Sequence, residues 1–161
     1  MKNKFYLSIV LLVALVLDNG CAKEAPPGTN GTANVQSNTI TFSTWKWDST
    51  NGFAYADFKW AALTPSIENS GTVLLYVQTP TGWAPLPRSI FPNATYSQSQ
   101  RYTYGNGTFK IIVQDSDLSQ PVSLGTWTIK VLSIESCVKK ANPHLDWSNY
   151  DEVKNAFHLK D

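Results

Sequence analysis

From residue 35 onward the chain alternates apolar and polar side chains with a period of two, and turn residues interrupt the alternation at short intervals. Ile40 and Phe42 alternate with threonine and serine. Phe53 to Trp60 alternates again, with Asp57 and Lys59 on one face and Phe58 and Trp60 on the other. Val73, Leu75 and Val77 form the next strand, within TVLLYVQ. Tyr96, Gln98, Gln100, Tyr102 and Tyr104 share one side of a further strand. Gly105-Asn106-Gly107 then predicts a tight turn into a return strand carrying Phe109, Ile111 and Val113. Trp127, Ile129 and Val131 make another. Thr79-Pro-Thr-Gly82 and the run from Gln114 to Gly125 supply turns, and Pro85 and Pro87 around Leu86 predict an edge or a loop, because neither can donate to a ladder. Six or seven short alternating strands with no helix between them predict an all-β domain over residues 35–137. The class is an antiparallel β-sandwich, immunoglobulin-like in architecture.

The pattern changes at residue 138. Ser148 with Asp151 predicts a helix start, and Tyr150, Val153 and Phe157 fall on one helical face. Residues 138–161 therefore read as a C-terminal segment with a short amphipathic α-helix, docked on the sandwich or laid across one open end.

The first 34 residues follow neither period. Lys2 and Lys4 precede a 13-residue, mostly apolar run from Phe5 to Leu17. That run is too short to cross a bilayer, which takes roughly 20 residues. Gly20 and Cys21 follow, so residues 1–20 read as a lipoprotein signal peptide, with Cys21 as the lipidated first residue of the mature chain. Asp18 departs from the aliphatic residue usual three places before such a cysteine. Residues 22–34, AKEAPPGTNGTAN, lack apolar periodicity and read as a flexible tether behind the lipidated cysteine.

Charge narrows the partners. Of thirteen basic and twelve acidic side chains, removal of Lys2, Lys4 and Asp18 leaves eleven of each. A neutral chain without a clustered basic face argues against nucleic acid. It argues equally against adsorption to anionic lipid heads, which leaves the acyl chains as the membrane contact, at about 0.8 kcal/mol per buried methylene. Cys21 and Cys137 are the only cysteines. With Cys21 acylated, Cys137 has no partner and reads as a small half-buried hydrophobe near a strand end; a reactive or intermolecular thiol is a second reading. A third joins Cys21 to Cys137 in a secreted protein without lipid.

As a set, CAKE before a Gly/Pro/Asn/Thr tether, ANVQS, SIENSGTVLLYV, GWAPLP, the strands around YGNG, WTIKVLSI and ANPHLDWSNYDEVKNAFHL carry a resemblance over nearly the whole length. The chain resembles a group of small lipoproteins of Bacteroidetes in which the tether is often a longer collagen-like Gly-x-y segment, reduced here to Gly28 and Gly31. The resemblance implies a β-rich domain anchored in the cell envelope, and it brings no activity and no catalytic residues with it.

The aromatic residues are the most suggestive chemistry. Trp45 and Trp47 flank Lys46, and their parity is opposite to that of Ile40 and Phe42, so a bulge intervenes or the indoles project away from the core. Exposed indoles there would stack on sugar rings; buried ones would fill the sandwich or lie beneath the C-terminal helix. Trp83 is a surface aromatic or a loop anchor. The Tyr96-to-Tyr104 face reads as solvated, with a polar binding surface as its alternative. Asp115-Ser-Asp117 reads as a turn, since no glycine or distal glutamate completes a calcium loop. His144 and His158, 14 residues apart, fit no zinc spacing. Glu24, Glu68, Glu135 and Glu152 locate no glycosidase pair, and neither G-x-S-x-G nor H-E-x-x-H occurs.

The expectation is a non-enzymatic lipoprotein of the cell envelope, held to the outer membrane by its lipid, with no cofactor or metal. Its domain serves interaction or structure, with an envelope protein or a glycan as partner. A glycan-binding module using Trp45, Trp47 or Trp83 is the alternative, and an envelope hydrolase is the third class.

Overall fold

The computed structural model describes residues 34–121 and 123–160; the expected signal peptide and nearly all of the expected tether lie outside them. Nine strands form two antiparallel sheets among these residues. The first sheet has the order β1-β9-β4-β5, with β1 Val35–Phe42, β4 Thr72–Thr79, β5 Gly82–Pro85 and β9 Trp127–Ile134. The second has the order β2-β3-β8-β7-β6, from β2 Lys46–Asp48, β3 Phe53–Lys59, β6 Arg88–Ile90, β7 Gln98–Gly105 and β8 Thr108–Asp115. Three short helices complete the chain: α1 Pro65–Ser70, α2 Ser136–Ala141 and α3 Tyr150–Phe157. The protein is thus mostly β.

Period-two alternation places one core between the sheets. Val73, Leu75 and Val77 of β4 and Ile129 and Val131 of β9 meet Phe109 and Ile111 of β8. Phe58 stacks on Phe109 with ring centroids 4.9 Å apart. Asp57 and Lys59 stay in solvent, as their parity predicts, and Asp57 there bridges Lys46 and Lys110 at 3.1 and 3.6 Å. The tip of the β7–β8 hairpin turns at Gly107, whose φ of 74° suits a residue without a Cβ. Gly107 is then tied down, donating to the Leu63 carbonyl and accepting from the Trp60 N–H.

The first sheet is covered on both faces, which is why TVLLYVQ and TIKVLSI read as nearly continuous apolar runs. Val35, Tyr76, Leu132 and Ile134 point away from the inter-sheet core into a second cluster with Val138, Tyr150, Val153 and Phe157. The C-terminal helix therefore docks on a sheet face, and the Tyr76 hydroxyl donates to the Trp147 carbonyl at 2.6 Å. Its N-cap is Asn149, not Ser148. The Asn149 side chain accepts from the Asp151 and Glu152 N–H groups, while the Ser148 hydroxyl turns to Asp146. Helix α2 spans the expected boundary between residues 137 and 138, so the C-terminal segment is continuous with the β domain.

Helix α1 was not expected. Thr64 accepts from the Ile67 N–H and Pro65 occupies the first turn, a start signal that the strand pattern on both sides masks.

Two phenols span the layers. Tyr102 of β7 donates to the Val73 carbonyl of the other sheet at 2.7 Å. Burial, with Tyr104 as a second cause, pushes its pKa from 10.0 up to about 12. A phenol whose folded pKa is raised lends stability that is complete below pH 10 and lost as pH climbs toward 12. Melting temperature should therefore fall over that window, and Tyr102→Phe should flatten part of the fall. Burial shifts Tyr76 further in the same direction, so part of the fall persists in that variant.

Candidate functional site

The face of β7 that read as solvated turns inward. The hairpin fixes the register, so Gln98 lies opposite Asp115, Gln100 opposite Val113 and Tyr102 opposite Ile111. The partners on β8 all face the core, and their neighbours on β7 must follow. Gln98 and Gln100 are 7% and 2% exposed, and only Tyr104 at the strand's end emerges. On the other side β6 sets Arg88 opposite Gln100.

These side chains make a continuous polar chain across an otherwise apolar surface. The Arg88 Nε donates to the Gln100 Oε1 at 2.6 Å. The Gln100 Nε2 donates to the Gln98 Oε1 at 2.9 Å, and the Gln98 Nε2 to the Asp115 Oδ1 at 2.9 Å. Asp115 is 2% exposed. A buried polar group left unpaired costs about 1–3 kcal/mol, so the links explain how these residues persist in a core. Asp117, by contrast, is exposed and caps the turn at the Ser119 N–H. The Asp115-Ser-Asp117 carboxylates are thus engaged separately.

Arg88 ends the chain at an opening between the sheets. This cleft, about 420 Å³, is lined among others by Val77, Arg88, Ile90, Tyr96, Gln100 and Trp127. Burial pulls the Arg88 guanidinium below its ordinary pKa, yet guanidinium stays charged at any physiological pH. Arg88 forms no ion pair among the described residues. Sequence reasoning passed over it, although it stands just beyond Pro87. The available signal was the row of glutamines across a tight turn from an apolar strand.

The three tryptophans do not share a face. The chain leaves the first sheet at Phe42 and enters the second at Lys46, and this crossing, not a bulge, reverses the parity. Trp45 sits in the crossing with its ring 5.0 Å from Phe42 and 5.0 Å from Trp127, edge-on to the latter. Its indole N–H donates to the Gly125 carbonyl at 3.3 Å. Trp47, on β2, is half-buried and shares with Trp45 a smaller hollow of about 250 Å³ beside Lys46 and the 120–124 loop. Trp83 lies on the far side of the first sheet, 5.3 Å from the Tyr150 ring. It anchors the C-terminal helix.

Cys21 lies outside the described residues. Cys137 is half-buried against the C-terminal cluster, near the end of β9, as expected, but it is disulfide-bonded, which departs from the expectation of a cysteine without a partner. The chain holds one other cysteine, Cys21. His144 and His158 are both exposed, and the described residues contain no group of three or more His, Cys, Asp or Glu placed to hold a metal ion. No helix among them is long and apolar enough to cross a membrane.

No protein-family model, curated protein or solved structure matches this chain.

Proposed function

We propose that this protein is a non-enzymatic recognition domain of the bacterial cell envelope. In the cell-derived protein, lipid on Cys21 in place of a disulfide there holds it to the outer membrane, residues 22–34 space it away, and a β-sandwich of immunoglobulin-like kind presents its binding surface. The observation that carries the binding role is Arg88, a half-buried cation facing an open cleft with its guanidinium held by a chain of buried amides. Such donors hold and orient a partner. The address rests on the N-terminal sequence and on the resemblance to Bacteroidetes lipoproteins.

The sulfur of Cys21 accommodates one bond of this kind. A thioether to lipid and a disulfide to Cys137 exclude each other there. Cell-derived protein is expected to sediment with membranes and to yield an N-terminal peptide carrying acyl mass at Cys21. A peptide of Cys21 cross-linked to Cys137 in its place would overturn the anchor and leave a secreted, disulfide-closed domain.

A second reading has a specific observation behind it. Trp45 and Trp47 border one hollow with Lys46, the arrangement that a sugar-stacking site uses. Glycan arrays probed with the full chain and with Trp47→Ala test it. Trp45→Ala serves less well, because Trp45 also packs between Phe42 and Trp127. Glycan signals that vanish with Trp47→Ala, while the melting temperature holds, assign binding to this hollow. Signals indifferent to the change remove it.

A further inference from the structure

The inner face of the second sheet is apolar along Ala54, Ala56, Phe109, Ile111 and Val113, and polar only where β6, β7 and the end of β8 meet. An aliphatic residue at position 98 or 100 would satisfy the pleat at lower cost, so the polar cluster departs from the pattern of its own sheet. Its internal bonds account for Gln98, Gln100 and Asp115. They do not account for Arg88. The Nε bond to Gln100 fixes the plane of the guanidinium, and no described residue engages its two terminal nitrogens. Asp115, the nearest carboxylate along the chain, is separated from Arg88 by two amides and neutralises nothing by contact. A fixed, partly desolvated fork without a counter-ion matches a planar carboxylate better than a single-point anion.

The walls say what carries that carboxylate. Trp127 and Tyr96 offer aromatic surface, Ser123 and Thr126 bring hydroxyl groups, and the amides of Gln98 and Gln100 line the same cleft. Mixed hydroxyl, amide and aromatic walls suit a ring bearing several hydroxyls. A peptide would look for a strand edge to pair with. The adjoining edge, β6, is three residues long and bounded by Pro87 and Pro92, so it offers little ladder. The cleft volume falls within the range of small-molecule sites, about 300–1,000 Å³.

We infer that this cleft binds a carboxylate-bearing sugar, a uronic acid or a glycan ending in one, with the carboxylate on the terminal nitrogens of Arg88 and the ring hydroxyls against the cleft walls. The inference rests on the reading of the protein as a recognition domain and names the ligand of this cleft. Gln100 and Gln98 are positioning residues, since they hold the guanidinium and do not meet the carboxylate.

Calorimetric titration of the full chain with glucuronate, galacturonate and short oligouronides tests it, with glucose, acetate and a short peptide bearing a free C-terminus as comparisons. Uronide binding is expected to exceed binding of each comparison by at least about tenfold, and Arg88→Lys to weaken it roughly ten- to a hundredfold while the protein stays folded, its melting temperature lowered by loss of the Nε bond to buried Gln100. Should Arg88→Lys fail to fold, Tyr96→Ala in the cleft wall, outside the polar chain, is expected to weaken binding several-fold. Uronides bound no better than glucose, acetate or the peptide would overturn the assignment. So would the absence of uronide binding, or binding indifferent to both variants. Retained binding of neutral glycans through the Trp45–Trp47 hollow would then show that the ligand was misassigned while the recognition role stood.

Discussion

Phe109→Ala is expected to destabilise the domain by about 3–5 kcal/mol, a large share of the 5–15 kcal/mol that a domain of this size possesses. Phe109 is 2% exposed and stacks on Phe58, with its ring set among residues of both sheets. Truncation removes the transfer free energy of a phenyl ring and leaves a void bounded by hydrogen-bonded strands. β8 is paired to β3 along one side and β7 along the other. Those ladders prevent its backbone from sinking into the gap, so the cavity cost adds to the transfer cost. Urea denaturation should show a lower midpoint at an unchanged slope. A loss below about 1 kcal/mol would mean that the sheets are not rigidly held across this layer.

Lys130→Ala is expected to cost about 2–5 kcal/mol and to loosen the C-terminal helix, for a different reason. Lys130 is 1% exposed on the covered face of the first sheet. Its ammonium lies 5.6 Å from the Trp83 ring and 5.5 Å from the Tyr150 ring, and it donates to the Lys160 carbonyl at 3.1 Å. The alkyl stem fills space between the sheet and α3, while the head draws the last turn of the chain inward. Two losses are therefore combined in the alanine variant, and Lys130→Met separates them. Methionine keeps the stem's volume and forfeits the cation–π contacts and the hydrogen bond, which are worth about 1–3 kcal/mol together. Denaturant midpoints should rank wild type, Met, Ala, with limited proteolysis releasing the C-terminal residues first in alanine. A methionine variant as unstable as alanine would place the whole effect in the charge; an unaffected alanine variant would detach Lys130 from the anchoring of the helix.

Much of the strand framework was legible because burial on one side of a sheet imposes a period of two. Phe53 to Lys59 and Phe109 to Val113 obey it closely, and Gly105-Asn106-Gly107 marks their neighbouring hairpin without ambiguity. The amphipathic face of Tyr150, Val153 and Phe157 announced a docking partner, and the apolar runs of β4 and β9 were that partner. Reading failed where alternation carries no sign. Gln98, Gln100 and Tyr102 alternate perfectly, yet parity states only that they share a side, not which side faces the core. The side was decided by β8 across the hairpin. Trp45 and Trp47 failed for a related reason, since a crossing between sheets resets parity just as a bulge would.

The candidate cleft was the least legible feature. Arg88 and Gln100 are twelve residues apart, joined by a segment that contains Pro92, and nothing local pairs them. Trp83 shows the converse. Its position near two prolines suggested a loop, whereas pairing with β4 on an edge strand places it beneath α3.

The amino-acid order by itself determined that this chain forms strands, where most of them turn, and that its last residues form a helix with one apolar face. These are properties of a few neighbouring residues, governed by backbone sterics and by the spacing of apolar side chains. Tertiary pairing decided which strands neighbour each other, which face of β7 is dry, and that one arginine comes to rest at the end of a buried amide chain. Those outcomes depend on free energies shared between segments distant along the chain, and such terms leave no periodic trace in the residues that bear them.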